Sequence, residues 1–294
     1  MTRKIWIIKD LLKVTTLYLE NKEIENPRLH AETLLAHQLN ISRINLYLSY
    51  DKPLNETEIS GYRSLIKRCI SKEPLQYITG KQEFWSLEFT VDPHVLIPRP
   101  ESELLVELVL KKQKDENPQE NQRPLILDMC TGSGAVAIAL AKELEDAYVW
   151  ATDISREALD VAKKNACKHG MDDRVQFVPG DLFQPLNNNE KKFDIIVANP
   201  PYVAMEEYDT LAPGVRDYEP RLALDGFENG FYYIDRIIRE APDHLKPGGW
   251  LLIEMDPGQT DMALDLIEKT ARFSEQTRIK DYCDRFRVVM AKKE

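Results

Sequence analysis

From residue 124 onward the chain repeats one pattern: a short apolar run stops at an acid or an amide, and a helical stretch follows. Leu125-Ile126-Leu127 stops at Asp128, Tyr148 to Thr152 at Asp153, Val175 to Val178 ahead of Gly180-Asp181, and Phe193 to Ala198 at Asn199. Ala135 to Leu144 and Glu157 to His169 lie between them with helical character, and a further helix is expected near Tyr232 to His244. Trp250 to Glu254 is a fifth run after the turn Pro247-Gly248-Gly249, and Thr277-Arg278-Ile279 with Phe286 to Met290 read as a closing hairpin. Unbroken apolar strands need cover on both faces, and the intervening helices provide it. The pattern therefore predicts an α/β fold around a mostly parallel, doubly wound sheet. Ligands of such sheets sit beyond the carboxyl ends of the strands, where Asp128, Asp153, Asp181 and Asn199 are all expected.

Upstream the character differs. Residues 1 to 73 read as a helical bundle, with Ile5, Ile8, Leu12 and Leu19 at roughly helical spacing. Asn26-Pro27 looks like an N-cap followed by proline at the first helical position, Ser42 can cap a short third helix, and Asn55 with Glu58 resembles a capping box. His30 and His37 read as packing or surface residues. Residues 74 to 100 form a linker in which Phe84, Leu87, Phe89 and Val91 alternate as in a β-hairpin, ending in the stiff Ile97-Pro98-Arg99-Pro100-Glu101. Residues 101 to 294 form the α/β domain, interrupted by an exposed loop at 111 to 124.

Composition narrows the classes. The 294 residues carry 39 basic and 49 acidic side chains, a formal charge of −10, which argues against a broad nucleic-acid surface. Cys69, Cys130, Cys167 and Cys283 lie far apart with no C-x-x-C pair, so neither a disulfide framework nor a structural zinc site is expected, and a reducing compartment fits. The apolar N-terminal patch is too short for a signal segment, and no run is long enough to span a membrane; the expectation is a cytoplasmic protein.

Two constellations carry chemistry. In Asp128-Met129-Cys130-Thr131-Gly132-Ser133-Gly134, glycines let a backbone turn approach a ligand and open a helix. Gly132-x-Gly134-x-x-Ala137, with Asp153 19 residues on, also satisfies the dinucleotide fingerprint, so a nicotinamide dehydrogenase stays open on this motif alone. Asp153 suits the two ribose hydroxyls of a nucleoside, or a helix cap; Asp181 suits an adenine amino group, or a cap. The second constellation is Asn199-Pro200-Pro201-Tyr202. Its prolines fix the backbone and remove two donors, leaving carbonyl acceptors. With the Asn199 side-chain carbonyl they can accept both hydrogens of a planar NH₂ group, while Tyr202 offers a stacking face. Such a nitrogen is a poor nucleophile because its lone pair is delocalised, so holding it in line with an activated methyl group is positioning catalysis. That motif has no role in a dehydrogenase.

These residues resemble S-adenosylmethionine-dependent methyltransferases acting on planar amino groups. Pro74 to Gly80, Glu83-Phe84-Trp85, Val95 to Glu101, Asn199 to Tyr202 and Glu219-Pro220 with Ala223-Leu224 narrow the resemblance to the release factor glutamine methyltransferase (PrmC/HemK) family. It implies a Rossmann-like seven-stranded methyltransferase domain with an N-terminal helical bundle and β-hairpin linker. It also implies N5-methylation of the glutamine amide in the Gly-Gly-Gln loop of class 1 peptide release factors. By the same resemblance Cys130, Thr131, Gly132, Ser133, Gly134, Asp153, Asp181, Phe183 and Asn199 would bind S-adenosylmethionine. Asn199, Pro200, Pro201 and Tyr202 would hold the substrate amide, with Asn199 catalytic, no metal, no direct contact with nucleic acid and a monomeric enzyme. The chain departs from the family in having Cys130 for the usual glycine, Ser102 for threonine, and Asp256 where Glu-x-Gly is common, so Glu254 is assigned no role. Arg99 could steer the substrate loop or form a structural ion pair. A ribosomal-protein glutamine methyltransferase and an adenine-N6 nucleic-acid methyltransferase are the alternatives; the charge and the linker disfavour the second.

Overall fold

A computed structural model describes residues 5–116, 123–186 and 191–294. The helices, in chain order, begin with α1 (Ile8–Glu20), α2 (Pro27–Leu39), α3 (Arg43–Leu48), α4 (Glu56–Ile70) and α5 (Leu75–Thr79). The hairpin strands β1 (Lys81–Phe84) and β2 (Leu87–Thr90) lead to α6 (Glu103–Glu116), β3 (Leu125–Met129), α7 (Ala135–Glu143), β4 (Tyr148–Asp153), α8 (Arg156–His169), β5 (Val175–Pro179) and β6 (Phe193–Ala198). The short α9 (Pro213–Arg216), α10 (Tyr232–His244), β7 (Leu245–Glu254), α11 (Thr260–Thr270), β8 (Phe273–Lys280) and β9 (Phe286–Lys293) complete the chain.

Two compact units result, one of residues 1–80 with Pro213–Tyr218, the other of Lys81–Ala212 with Glu219–Glu294. These units divide at residue 80, where the sequence reading set boundaries at 73 and 100. In the helical unit, Ile8, Leu19, Leu34, Leu35, Leu46 and Tyr62 are buried together. Asn55 and Glu58 form both halves of the capping box, at 2.8 Å each. Asn26 departs from the expectation: it precedes Pro27 in the left-handed conformation at φ 49° and makes no side-chain capping bond. Ser42 also precedes its helix without a capping bond. Tyr218 donates to the Ser71 carbonyl at 2.7 Å.

The second unit is a seven-stranded sheet of order β5-β4-β3-β6-β7-β9-β8, as expected. The strands from β3 to β7 pair in parallel, and β9 runs antiparallel to both β7 and β8. Helix cover on both faces explains why Ile126, Leu127, Ile196, Val197, Leu252 and Ile253 are all buried whichever way they point. The hairpin belongs to this unit, and Phe84, Leu87 and Phe89 enter its core beside α6 and α7 residues. Two boundaries differ from the sequence reading. Helix α6 continues to Glu116 through the expected loop, because Lys, Gln and Glu are good helix formers on an exposed face; residues 117–122 of that loop lie outside the described residues. β7 takes in Leu245 ahead of the expected turn Pro247-Gly248-Gly249: pairing with β6 jumps from Phe193 with Leu245 to Ile195 with Trp250, Gly248 sits at φ 75°, and the unbroken ladder begins at Trp250 as the sequence reading has it.

Asn165 of α8 is fully buried and joins three segments. Its Oδ1 accepts the Thr90 amide at 2.8 Å, and its Nδ2 donates to the carbonyls of Thr90 at 3.0 Å and Ser133 at 2.9 Å. The side chain thus ties the hairpin to the turn after β3. Asn165→Ala would strand the buried Ser133 carbonyl and the half-buried amide and carbonyl of Thr90, at about 1–3 kcal/mol for a fully buried group and less for the half-buried ones. A fall in unfolding free energy of at least about 2 kcal/mol is expected in urea titration, and an unchanged midpoint would contradict it.

Candidate active site

The turn after β3 is built from left-handed residues. Cys130, Gly132 and Gly134 have φ of 58°, 54° and 80°. A side chain at Gly134 would crowd Ala162 and Ile138, each 3.1 Å from the position of its Cβ, so glycine lets α7 and α8 close on each other. A Cβ at Gly132 would meet nothing within 4 Å. Two carboxylates pin this turn. Asp128, buried inside β3 and not at its end, accepts the Thr131 hydroxyl at 2.6 Å and the Ala137 amide at 3.2 Å. Burial raises its pKa to about 7 against the pull of those two bonds. Asp153, at the end of β4, accepts the Gly132 amide on Oδ2 and the Ser155 amide on Oδ1, both at 2.9 Å. Desolvation raises its pKa as well. The capping role belongs to Ser155, whose Oγ accepts the Ala158 amide at 3.0 Å.

A cavity of about 130 Å³ opens beside these carboxylates. Of the sequence-derived candidates, Cys130, Thr131, Gly132, Ser133, Asp153, Asp181, Asn199 and Pro201 line it. Gly134, Pro200, Tyr202 and Phe183 are not among its lining residues. Phe183 is fully buried and stacks on His244 with ring centroids 4.5 Å apart. The reason is local: Leu182 is left-handed at φ 45°, and it lines the cavity while Phe183 packs in the core. Asp181 is held by Arg236 of α10 at 2.8 Å.

Asn199 follows β6, and its Nδ2 donates to Ser102 Oγ at 2.9 Å. Tyr202 is half-buried against the sheet core. Its carbonyl accepts Gln259 Nε2 at 2.9 Å, and a Cβ on Gly230 would stand only 2.1 Å from that oxygen. Arg99 resolves as an ion pair: its Nη2 donates to Glu219 Oε1 at 2.6 Å, while Glu219 Oε2 accepts the Ile97 amide at 3.2 Å. The buried Glu219 thereby clamps the stiff Ile97-to-Pro100 segment to the loop after β6. Sequence reading gave no role to Ser102 or Tyr233 and, though it placed Asp128 at a strand end where ligands sit, gave it no binding task; all three line the cavity. Asp128 carried a signal, an acid three residues before a hydroxyl that precedes a glycine turn; Tyr233, on a distant helix, carried none. Among the described residues no cluster of His, Cys, Asp and Glu could hold a metal ion.

Curated relatives align over nearly the whole chain. A release factor glutamine methyltransferase from Geobacter sulfurreducens is 43% identical over 272 residues, 92% of each chain. Another from Rhodopirellula baltica is 38% identical over 291 residues, covering 98% of this chain and 97% of that one. This chain belongs to the release factor glutamine methyltransferase family. The family described as PrmC N-terminal domain matches residues 10–80, and the methyltransferase small domain matches residues 101–214. Among solved structures, the Thermus thermophilus 16S rRNA N2 G1207 methyltransferase in complex with AdoMet and guanosine shares the fold at TM-score 0.50 and 22% identity, over 73% of this chain and 50% of that one.

Against that family, Cys130 is a conformational departure. A left-handed residue with a Cβ costs about 1–2 kcal/mol, while glycine costs about 0.5–1 kcal/mol in extra unfolded-state entropy. Cys130→Gly is therefore expected to melt at or above the wild-type temperature, and a clear fall would show that the half-buried thiol packs for more than its strain. Burial and the neighbouring Asp153, Asp128 and Asp181 hold the thiol well above its usual pKa, so it should react with iodoacetamide far more slowly than exposed Cys167 or Cys283.

Proposed function

We propose that this protein methylates the side-chain amide nitrogen of the glutamine in the Gly-Gly-Gln loop of class 1 peptide release factors. Family membership supports the reaction class, and the observation that carries the site is Asn199, set on the cavity with its amide held by Ser102. The residues fit S-adenosylmethionine. Asp153 presents at the cavity a carboxylate whose oxygens accept the Gly132 and Ser155 amides and still have lone pairs to spare, which two ribose hydroxyls suit. Open space beside Gly132 admits close backbone approach. Arg236 engages one oxygen of Asp181, which leaves the other to accept an adenine amino group. When bound, S-adenosylmethionine supplies an electrophilic methyl group on a sulfonium.

The chain itself has to position the nucleophile. Asn199 Oδ1 accepts one hydrogen of the substrate amide and the Pro200 carbonyl accepts the other, fixing the plane of the NH₂ group and the face it presents. These acceptors also favour the positive charge that develops on the nitrogen. Holding the Asn199 amide by its Nδ2 keeps Oδ1 in the accepting role. No strong base is required, because the methylated nitrogen is acidic and loses its proton to any weak acceptor or to water. Tyr202 supports the loop through its carbonyl and its packed ring, and Tyr233 supplies an aromatic wall.

The partner is a release factor, the protein acts as a monomer with no direct nucleic-acid contact, and its site is the cytoplasm. Four free thiols fit a reducing compartment, and among the described residues no helix is long and apolar enough to cross a membrane.

Two substitutions separate binding from positioning. Asp153→Ala should weaken S-adenosylmethionine binding in calorimetry by roughly 1.5–3 kcal/mol per lost charged hydrogen bond. Asn199→Ala should lower the single-turnover rate on a release factor by about 10²–10³-fold at saturating cofactor, with cofactor affinity much less affected. A near wild-type rate for Asn199→Ala would mean that other groups hold the amide.

A further inference from the structure

Behind Asn199 lies a carboxyl group with no evident structural task. Glu254 ends β7, is 1% exposed, and its Oε2 has no hydrogen-bond partner. An unpartnered buried carboxyl oxygen is costly and calls for an explanation. Ser102 and Tyr202 both act on this carboxyl, each favouring its charged form. Ser102 is the same residue whose Oγ accepts Asn199 Nδ2 at 2.9 Å. Glu254, Ser102 and Asn199 therefore form a chain that starts in the sheet core and ends at the cavity.

We propose that Glu254 is a positioning residue: its carboxylate, acting through the Ser102 hydroxyl, sets which end of the Asn199 amide is offered to the substrate. The inference rests on the proposed amide-holding role of Asn199. A hydroxyl has one proton to give. When Glu254 is a carboxylate it only accepts, so Ser102 donates to it and keeps its lone pairs for Asn199 Nδ2. Asn199 Oδ1 is then left to accept from the substrate NH₂. When Glu254 is protonated, it can donate to Ser102, and Ser102 can turn its proton to Asn199 Oδ1. The Asn199 amide then flips and presents its own NH₂ to the substrate NH₂, donor against donor. Tyr202 gives the carboxylate a second donor from the same catalytic loop.

The charge on Glu254 is finely balanced. Burial raises its pKa to about 7, opposed by Ser102, by Arg287 of β9 and by Tyr202, and assisted by Glu101 in the turn ahead of α6. Arg287 is itself shared, with Asp281 at 3.6 Å and the Met255 carbonyl at 3.3 Å, so it does not neutralise Glu254 outright. The active form is the charged one. Turnover should therefore be full above the pKa of Glu254 and should fall as pH drops through about 7. Asp128 titrates in the same range and contacts the turn after β3, so saturating cofactor is used to keep its effect out of the turnover number.

The test is the pH profile of kcat for release-factor methylation, with KM and cofactor affinity measured in parallel. Wild type should show an acid limb. Glu254→Gln should remove that limb and lower kcat at alkaline pH by roughly 10- to 100-fold, the size expected of a misplaced reacting group, while leaving KM and cofactor affinity near wild type. Ser102→Ala should do the same without touching the core carboxyl, and Ser102→Thr, which keeps the hydroxyl, should restore both rate and limb. An acid limb that survives in Glu254→Gln or in Ser102→Ala would overturn the proposal, as would Glu254→Gln with wild-type kcat throughout. Absence of any methylation by wild-type protein would instead refute the release-factor reading on which it rests.

Discussion

The bond from the Gly132 amide to Asp153 Oδ2, at 2.9 Å, ties the end of one central strand to the turn after its neighbour. Around it the other devices fall into place. Asp128 holds the far side of the same turn through Thr131 and Ala137. Asn165 reaches from α8 to the carbonyl of Ser133 and to the hairpin. Each of these side chains is committed to backbone groups or, in the case of Asp128, also to the Thr131 hydroxyl, so the cavity wall is set before any ligand arrives. That is the form of preorganisation that positioning catalysis needs, because a methyl transfer of this kind has no covalent protein intermediate over which to spread its barrier.

The Asn199-to-Tyr202 loop is held by a different set of contacts. Asn199 is fixed by Ser102, Tyr202 by Gln259 and the closeness of Gly230, and the following segment by the Glu219 to Arg99 pair. Ser102 and Arg99 both come from the stretch that links the hairpin to α6, and Glu219 lies 20 residues beyond Asn199. The loop's shape is thus dictated by residues distant in sequence. This explains why the stiff Ile97-Pro98-Arg99-Pro100 segment and the Asn-Pro-Pro-Tyr motif occur together in one chain.

Much of this was legible in advance. The five strands β3 to β7 were readable because parallel strands buried on both faces leave unbroken apolar runs; the exposed, antiparallel β8 carries no such run and was readable only as half of a closing hairpin with β9. The candidate residues that line the cavity stand out because they cluster at strand ends. What failed did so for identifiable reasons. β7 starts at Leu245, ahead of the Pro247-Gly248-Gly249 turn, because one pairing with Phe193 precedes the looped-out residues, and a single paired residue leaves no run in the sequence. Phe183 sits two residues from Asp181, yet a left-handed Leu182 separates a cavity-lining residue from a core one. Asn26 precedes a proline as a cap should, but its own left-handed backbone turns the side chain away from the capping bond. Glu254 has no role in the sequence reading because Asp256 breaks the Glu-x-Gly pattern there, while the burial that makes it unusual is a property of the fold and not of the letter.

The central claim is that the Asn199 loop holds a glutamine amide for methyl transfer. The most direct measurement is mass spectrometric mapping of a class 1 release factor after incubation with this protein and S-adenosylmethionine labelled in its methyl group. The account predicts a single labelled methyl group on the side-chain nitrogen of the Gly-Gly-Gln glutamine. An unmodified Gly-Gly-Gln peptide, with the label instead on a ribosomal protein or on adenine of a nucleic acid, would contradict it.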